Sequence, residues 1–227
     1  MTTTTEVTGT VFLIDDDASI RRSLARELRA AGFRVETFAS AQDYLDRPPA
    51  AGIACIVADL RMPGLSGLDL QASLARANRE LPMVFISGYG DIPTSVRAMK
   101  AGAVNFLPKP FTEGEILAAI AEALARGAQL DGRRKEQAHL HARFRALTGR
   151  EREVCALVVA GLLNKVIADR LSIAEKTVKI HRARVMKKMG AASIADLVRM
   201  AERLALTPAS APAPGVIAPP DLAGSSV

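Results

Sequence analysis

Short runs rich in β-branched and aromatic residues alternate with longer amphipathic runs through the first 128 residues of this 227-residue chain. The short runs are Thr10–Ile14, Arg34–Phe38, Ile53–Ala58, Met83–Ser87 and Val104–Leu107, bounded by turn residues, and they read as strands. Between them, apolar residues recur at helical spacing over Ser19–Ala31, Ala41–Asp46, Gly67–Ala77, Ile92–Ala101 and Glu113–Arg126. Gly32 and Gly102 stand where helix C-terminal glycines belong. Five β/α repeats in succession predict an α/β domain with a parallel sheet covered on both faces. Such a sheet carries its chemistry at the carboxyl ends of its strands.

The pattern then changes. Residues 127–145 are polar, charged and poorly periodic, which predicts a partly helical linker. Thr148-x-x-Glu151 is a capping box that opens a helix ending at Gly161. A short helix over Lys165–Leu171, a tight turn at Ser172–Ala174 and a longer helix over Glu175–Met189, stopped by Gly190, follow. Ser193-x-x-Asp196 caps a last helix with Ile194, Leu197, Val198, Ala201, Leu204 and Ala205 on one face, ended by Thr207-Pro208. Of the last 20 residues 12 are Pro, Ala or Gly, so 208–227 is expected to be a disordered tail. Residues 1–9 are expected to be a flexible N-terminus.

Charge separates the two halves. Residues 1–128 carry 13 Lys/Arg against 15 Asp/Glu, whereas 129–227 carry 17 against 9. An acidic half joined to a basic half predicts two domains with different partners, and the basic half points to nucleic acid or an anionic membrane surface. A merely solvated basic surface is the bland alternative. Aromatics make up only 4% and Trp is absent, poor material for an aromatic stacking site. Cys55 and Cys155 form no CxxC pattern and read as buried reduced thiols of a cytosolic protein. His139 and His141 fall in the linker and read as solvated. No signal peptide is expected from MTTTTEVTGT, and the most apolar windows, Ile53–Ala58 and Val154–Leu163, are too short to span a bilayer.

The candidate chemistry of the acidic half lies at strand ends. Asp15, Asp16 and Asp17 follow the first strand and Asp59 follows the third. In a parallel sheet with those strands adjacent, Asp15, Asp16 and Asp59 converge at one rim. Carboxylates so placed repel unless a cation joins them, and oxygen-only ligands suit Mg²⁺. Ser87 ends the fourth strand and Lys109 follows the fifth within Leu107-Pro108-Lys109-Pro110. Such a set can perform phosphoryl transfer: an Asp nucleophile, Mg²⁺ and Lys⁺ neutralising the transferring oxygens, and a hydroxyl sensing the product. The alternative is an ordinary acid cluster at a helix N-terminus, stabilised by the helix dipole.

The motifs Val11–Asp17, Asp59-Leu-Arg-Met-Pro-Gly64, Ser87-Gly-Tyr-Gly-Asp91 and Phe106-Leu-Pro-Lys-Pro110, in this order, resemble a response-regulator receiver domain. The run from Gly90 to Phe106 is similar to the FixJ subgroup. The resemblance implies a flavodoxin-like (βα)5 receiver over 10–128 with a five-stranded parallel sheet. It also implies Asp59 as phosphoacceptor, and Mg²⁺ held by Asp15, Asp16, Asp59 and the backbone carbonyl of Arg61. Ser87 and Lys109 are implied to contact the phosphoryl group, Phe106 to be an aromatic switch, and Lys109–Pro110 to be cis. Phe106 reads equally as a core aromatic on the last strand. Asp17 stands where the family commonly carries Glu and is not expected to ligate the metal.

In the basic half, Glu175–Lys188 holds six Lys/Arg and one acid. On helical spacing Lys176, Lys179, Ile180, Ala183 and Lys187 form one stripe. Val178, His181, Val185 and Met189 form a second, which is expected to pack inward. A short helix, a tight turn and a longer basic helix make a helix-turn-helix whose second helix enters the major groove. The segments Leu147–Val154, Asn164–Ala168 and Thr177–Arg182 resemble the LuxR/FixJ-type four-helix DNA-binding domain, over 146–207. By that resemblance Lys179, Ile180 and Ala183 face base edges, and Lys165, Thr177 and Arg182 lie near phosphates. Lys176 and Lys187 flank them on the same helix. Two positions depart from the family: Gly149 replaces a frequent Pro, expected to loosen the first turn, and Ala183 replaces a longer base-contacting side chain.

Together these readings describe a non-enzymatic, cytoplasmic two-component response regulator with linker 129–145. The resemblance implies that a partner histidine kinase phosphorylates Asp59 and that the activated homodimer binds double-stranded DNA to regulate transcription, with RNA polymerase as a further expected partner and no membrane. The dimer surface implied is the face of the fourth helix and fifth strand. Two other classes account for part of the pattern only. A Mg²⁺-dependent aspartyl-phosphate phosphatase of the haloacid dehalogenase type would leave the basic helices unexplained. A phosphorylation-independent adaptor would leave the acid, hydroxyl and lysine set unexplained.

Overall fold

The first strand, β1 (Thr10–Ile14), pairs in parallel with β2 (Arg34–Phe38) on one side and β3 (Ala54–Asp59) on the other. β4 (Met83–Ser87) and β5 (Asn105–Pro108) complete a five-stranded sheet in the order β2-β1-β3-β4-β5. This computed structural model describes residues 9–88 and 92–206, in two units, Met1–Arg134 and Lys135–Val227. The expected flexible start (save Gly9), motif residues 89–91 and the expected tail with its Thr207-Pro208 stop lie outside the described residues.

Every residue of β3 is buried, because helices cover both faces of the sheet. Alternation along the strands splits the core in two. Val11, Leu13, Cys55, Val57, Val84 and Ile86 face α1 (Ala18–Ala30) and the start of α5 (Glu113–Arg145). Phe12, Ile14, Ile56, Ala58 and Phe85 face α2 (Ala41–Leu45), α3 (Gly67–Arg76) and α4 (Ile92–Lys100). Each fully buried Val, Ile, Leu or Phe here contributes about 1.5–3 kcal/mol. The register aligns Ile14 with Ala58 and Ser87 with Pro108, so the residues that follow emerge along one rim.

β3 and β5 each begin and end one residue later than the pattern predicts, and Asp59 closes β3 rather than following it. Pairing of Asp59 with Ile86 on β4 decides this, and such pairing is invisible to local periodicity. The larger difference is α5, 33 residues long where a helix to Arg126 and a partly helical linker were expected. Its residues to Arg134 count with the first unit and the rest with the second. Two contacts outweigh the poor periodicity. Gly127 packs against the Ala54 backbone, and Leu140 is buried in the core of the second unit.

The second unit adds α6 (Gly149–Val159), α7 (Asn164–Leu171), α8 (Glu175–Met189) and α9 (Ile194–Arg203). Their core joins Val154, Leu157, Ile167, Val178, Val185, Met189 and Leu197. α6 starts at Gly149 with both arms of the Thr148–Glu151 capping box formed, so the absent Pro does not undo its first turn. α9 ends at Arg203, short of the predicted stop. Ala205 is exposed with φ 52°, and the Leu206 N–H closes back on the Ala201 carbonyl at 3.0 Å. Among the described residues no helix is long and apolar enough to cross a membrane.

Candidate functional site

Asp15 leaves β1 and Asp59 ends β3, and both are buried. Lys109, just past β5, reaches across the sheet rim. Its Nζ donates to Asp15 Oδ2 at 2.8 Å and to Asp59 Oδ2 at 2.6 Å. The other oxygens are held by the backbone: Asp17 N–H donates to Asp15 Oδ1 at 2.9 Å, and Arg61 N–H to Asp59 Oδ1 at 2.9 Å. Asp16 is exposed, and one carboxylate oxygen from each of Asp15, Asp16 and Asp59 lies within 4.8 Å of the others.

Burial pushes the Asp15 carboxyl above the ordinary carboxylate range, against the pull of Lys109 and the Asp17 N–H. Burial also works against the Lys109 charge. Hydrogen bonds to Asp15 and Asp59, with their negative charges, outweigh it and hold the ammonium above its ordinary value. Asp17 behaves differently. It caps α1, accepting from the N–H groups of Ser19 at 2.7 Å and Ile20 at 3.3 Å. The helix-terminus alternative therefore describes Asp17 alone.

Ser87 is buried at the end of β4, and its carbonyl accepts the Lys109 N–H at 2.7 Å. Phe106 is half-buried on β5, paired in register with Phe85 and packed against the second core cluster. The Lys109–Pro110 bond is cis. Three hard oxygen donors against a single close ammonium fit Mg²⁺, which binds through few carboxylates and keeps water. Sequence reasoning missed Arg21 of α1. Its Nη1 donates to the carbonyls of Asp15 at 2.6 Å and Asp16 at 2.9 Å. It missed the Arg61 N–H as well, because a backbone donor carries no sequence signal.

On α8, Lys176, Lys179, Ile180, Ala183 and Lys187 are exposed, while Val178, Val185 and Met189 are buried. His181 is half-buried on the inward stripe, its Nδ1 enclosed without a partner among the described residues. Lys165 is exposed on α7 and Thr177 half-buried on α8. Arg182 is half-buried and donates to Asn164 Oδ1 on α7 at 2.8 Å, which ties the two helices together. Lys179 pairs with Glu175 at 3.2 Å, both exposed. Lys188 departs from its basic neighbours by donating to the buried Glu151 at 2.6 Å. That bond, with the Thr148 N–H, lowers the Glu151 carboxyl to about 2.

A receiver-type rim and a helix-turn-helix on one chain define a two-component response regulator with a DNA-binding domain. Residues 11–121 match the family described as response regulator receiver domain, and 145–201 that described as bacterial regulatory proteins, luxR family. Nodulation protein W of Bradyrhizobium diazoefficiens is 48% identical over 197 residues, 87% of each chain. The transcriptional regulatory protein FixJ of Rhizobium meliloti is 43% identical over 192 residues, 85% of this chain and 94% of that one. The solved response regulator StyR aligns with TM-score 0.72 and 48% identity, over 86% of this chain and 99% of that one. The chain belongs to the FixJ-like response regulators, non-enzymatic DNA-binding regulators of transcription whose family implies a histidine kinase partner.

Proposed function

We propose that Asp59 accepts a phosphoryl group from a partner histidine kinase and that the resulting charge controls DNA binding by the second domain. The observation that carries this is Lys109, bonded at once to Asp15 and Asp59, with Asp16 beside them. Asp15, Asp16, Asp59 and the Arg61 carbonyl would hold Mg²⁺, which when bound would neutralise charge on the transferring oxygens. An oxygen of Asp59, oriented by Lys109 and the Arg61 N–H, forms a bond to phosphorus as the P–N bond of the kinase phosphohistidine breaks and returns its electrons to the imidazole. Lys109 then pairs with the new dianion, and the Ser87 hydroxyl donates to it. Phe106 follows Ser87 inward, biasing the receiver between two states.

The active state dimerises through the face of α4 and β5 and engages double-stranded DNA and RNA polymerase in the cytoplasm. Lys179, Ile180 and Ala183 read base edges, while Lys165, Lys176, Thr177, Arg182 and Lys187 hold phosphates. The functional divisions are a receiver over 10–128, a connecting segment over 129–145 and a DNA-binding domain over 146–207. Incubation with Mg²⁺ and a small phosphodonor, wild type against Asp59→Asn, tests the reading. A stoichiometric adduct in wild type alone supports it. Multiple turnover would make the protein a phosphatase, and absence of an adduct would leave a phosphorylation-independent adaptor.

A further inference from the structure

The three carboxylates of the rim are secured unequally. Asp15 is held at its N–H, by the Phe38 carbonyl at 3.3 Å, and at both side-chain oxygens, by Asp17 and Lys109. Asp59 is held by Arg61 and Lys109. Asp16 is exposed, and among the described residues its hydrogen bond is through its backbone carbonyl, to Arg21. Arg21 Nη1 donates to both carbonyls, that of Asp15 at 2.6 Å and that of Asp16 at 2.9 Å.

We propose that Arg21 is a positioning residue for divalent-cation binding, its guanidinium clamping two consecutive carbonyls so that the Asp15 and Asp16 carboxylates are presented together to one ion. This rests on the reading of the acidic rim as a Mg²⁺ site. Arg21 sits one helical turn into α1, an element anchored in the core by Leu24, Ala25 and Leu28. The clamp therefore ties the β1–α1 loop to a rigid support. Both bonds come from one nitrogen, Nη1, whose two N–H groups are fixed in the guanidinium plane, whereas an ammonium turns freely on its stem. Residues that orient metal ligands through hydrogen bonds typically matter about 10–100-fold in metal affinity.

The sign of the effect separates positioning from simple charge. A cation bonded to the loop that carries Asp15 and Asp16 weakens Mg²⁺ binding by repulsion, so if Arg21 acted as charge alone, its removal would tighten binding. If Arg21 orients the ligands, its removal loosens binding. The test is calorimetric titration of Mg²⁺ into the full-length protein as wild type, Arg21→Ala, Arg21→Lys and Asp16→Ala. It is paired with the Mg²⁺ dependence of phosphoryl uptake from a small phosphodonor. We expect the Mg²⁺ Kd of Arg21→Ala to rise roughly tenfold, the lower end of that range. Half-saturation for uptake should rise in step, while the rate at saturating Mg²⁺ stays near wild type.

Arg21→Lys keeps the charge but loses the fixed planar pair of N–H donors, and its Kd should lie between wild type and Arg21→Ala. This variant also carries the test if Arg21→Ala does not fold. An equal or lower Kd in Arg21→Ala, or a wild-type Kd in Arg21→Lys, would overturn the proposal. Wild type and Asp16→Ala binding Mg²⁺ alike would overturn the underlying reading of the rim instead.

Discussion

Two glycines five positions apart in α5 meet opposite surroundings. A Cβ on Gly127 would come 2.7 Å from the carbonyl oxygen of Ala54, a contact real side chains do not make. Ala54 belongs to the central, fully buried β3, so that carbonyl has nowhere to go. A Cβ on Gly132 would meet nothing within 4 Å. Each Gly→Ala change in a helix interior gains about 0.5–1 kcal/mol from the unfolded chain's lost freedom. Gly132→Ala should keep that gain. Gly127→Ala should lose it to overpacking, which costs about 1–3 kcal/mol, for a net loss of up to roughly 2 kcal/mol.

Urea unfolding followed by tyrosine fluorescence reads the difference in the full-length protein. Trp is absent, and Tyr44, one of the two tyrosines, is buried in the first unit. With an m-value of about 1–3 kcal/mol per molar, the two midpoints should separate by on the order of 1 M. A rise for Gly127→Ala equal to that of Gly132→Ala would refute the close approach of α5 to β3. A fall for Gly132→Ala would refute helical continuity through the segment whose pattern reads as a linker.

Mg²⁺ should raise the melting temperature of the receiver by binding the folded state, and Asp16→Ala should lose most of that gain in thermal unfolding with and without the ion. The Glu151 carboxyl, lowered from an ordinary 4.5 to about 2, contributes stability that is complete above 4.5 and lost as pH falls toward 2. Wild type should therefore melt above Glu151→Gln at pH 7, with the gap closing toward pH 2 in far-UV circular dichroism. Neighbouring lysines should differ in fluorescence anisotropy on a mixed-sequence duplex. Lys187→Ala should reduce the slope of log K against log salt by about 0.9, whereas Lys188→Ala, already paired with Glu151, should leave the slope unchanged.

The repeating order of strands and helices, the capping box at Thr148, the Ser193 N-cap and the two stripes of α8 are written locally, because each depends on residues within a few positions of one another. The gathering of Asp15, Asp16 and Asp59 was legible one step further on, since parallel strands bring their carboxyl ends to one rim. Other features were decided only by tertiary structure. The Arg21 clamp depends on which way two peptide planes turn, and the Arg61 N–H on the exact end of β3. The Glu151–Lys188 pair joins residues 37 positions apart. α5 runs past Gly127 because a carbonyl of β3 lies beside it, a contact that supplies packing where the local pattern shows none. Periodicity records which face of an element is apolar. The partner that covers that face, and the single hydrogen bonds that aim a carboxylate, follow from contacts between distant segments that form only when the chain is folded.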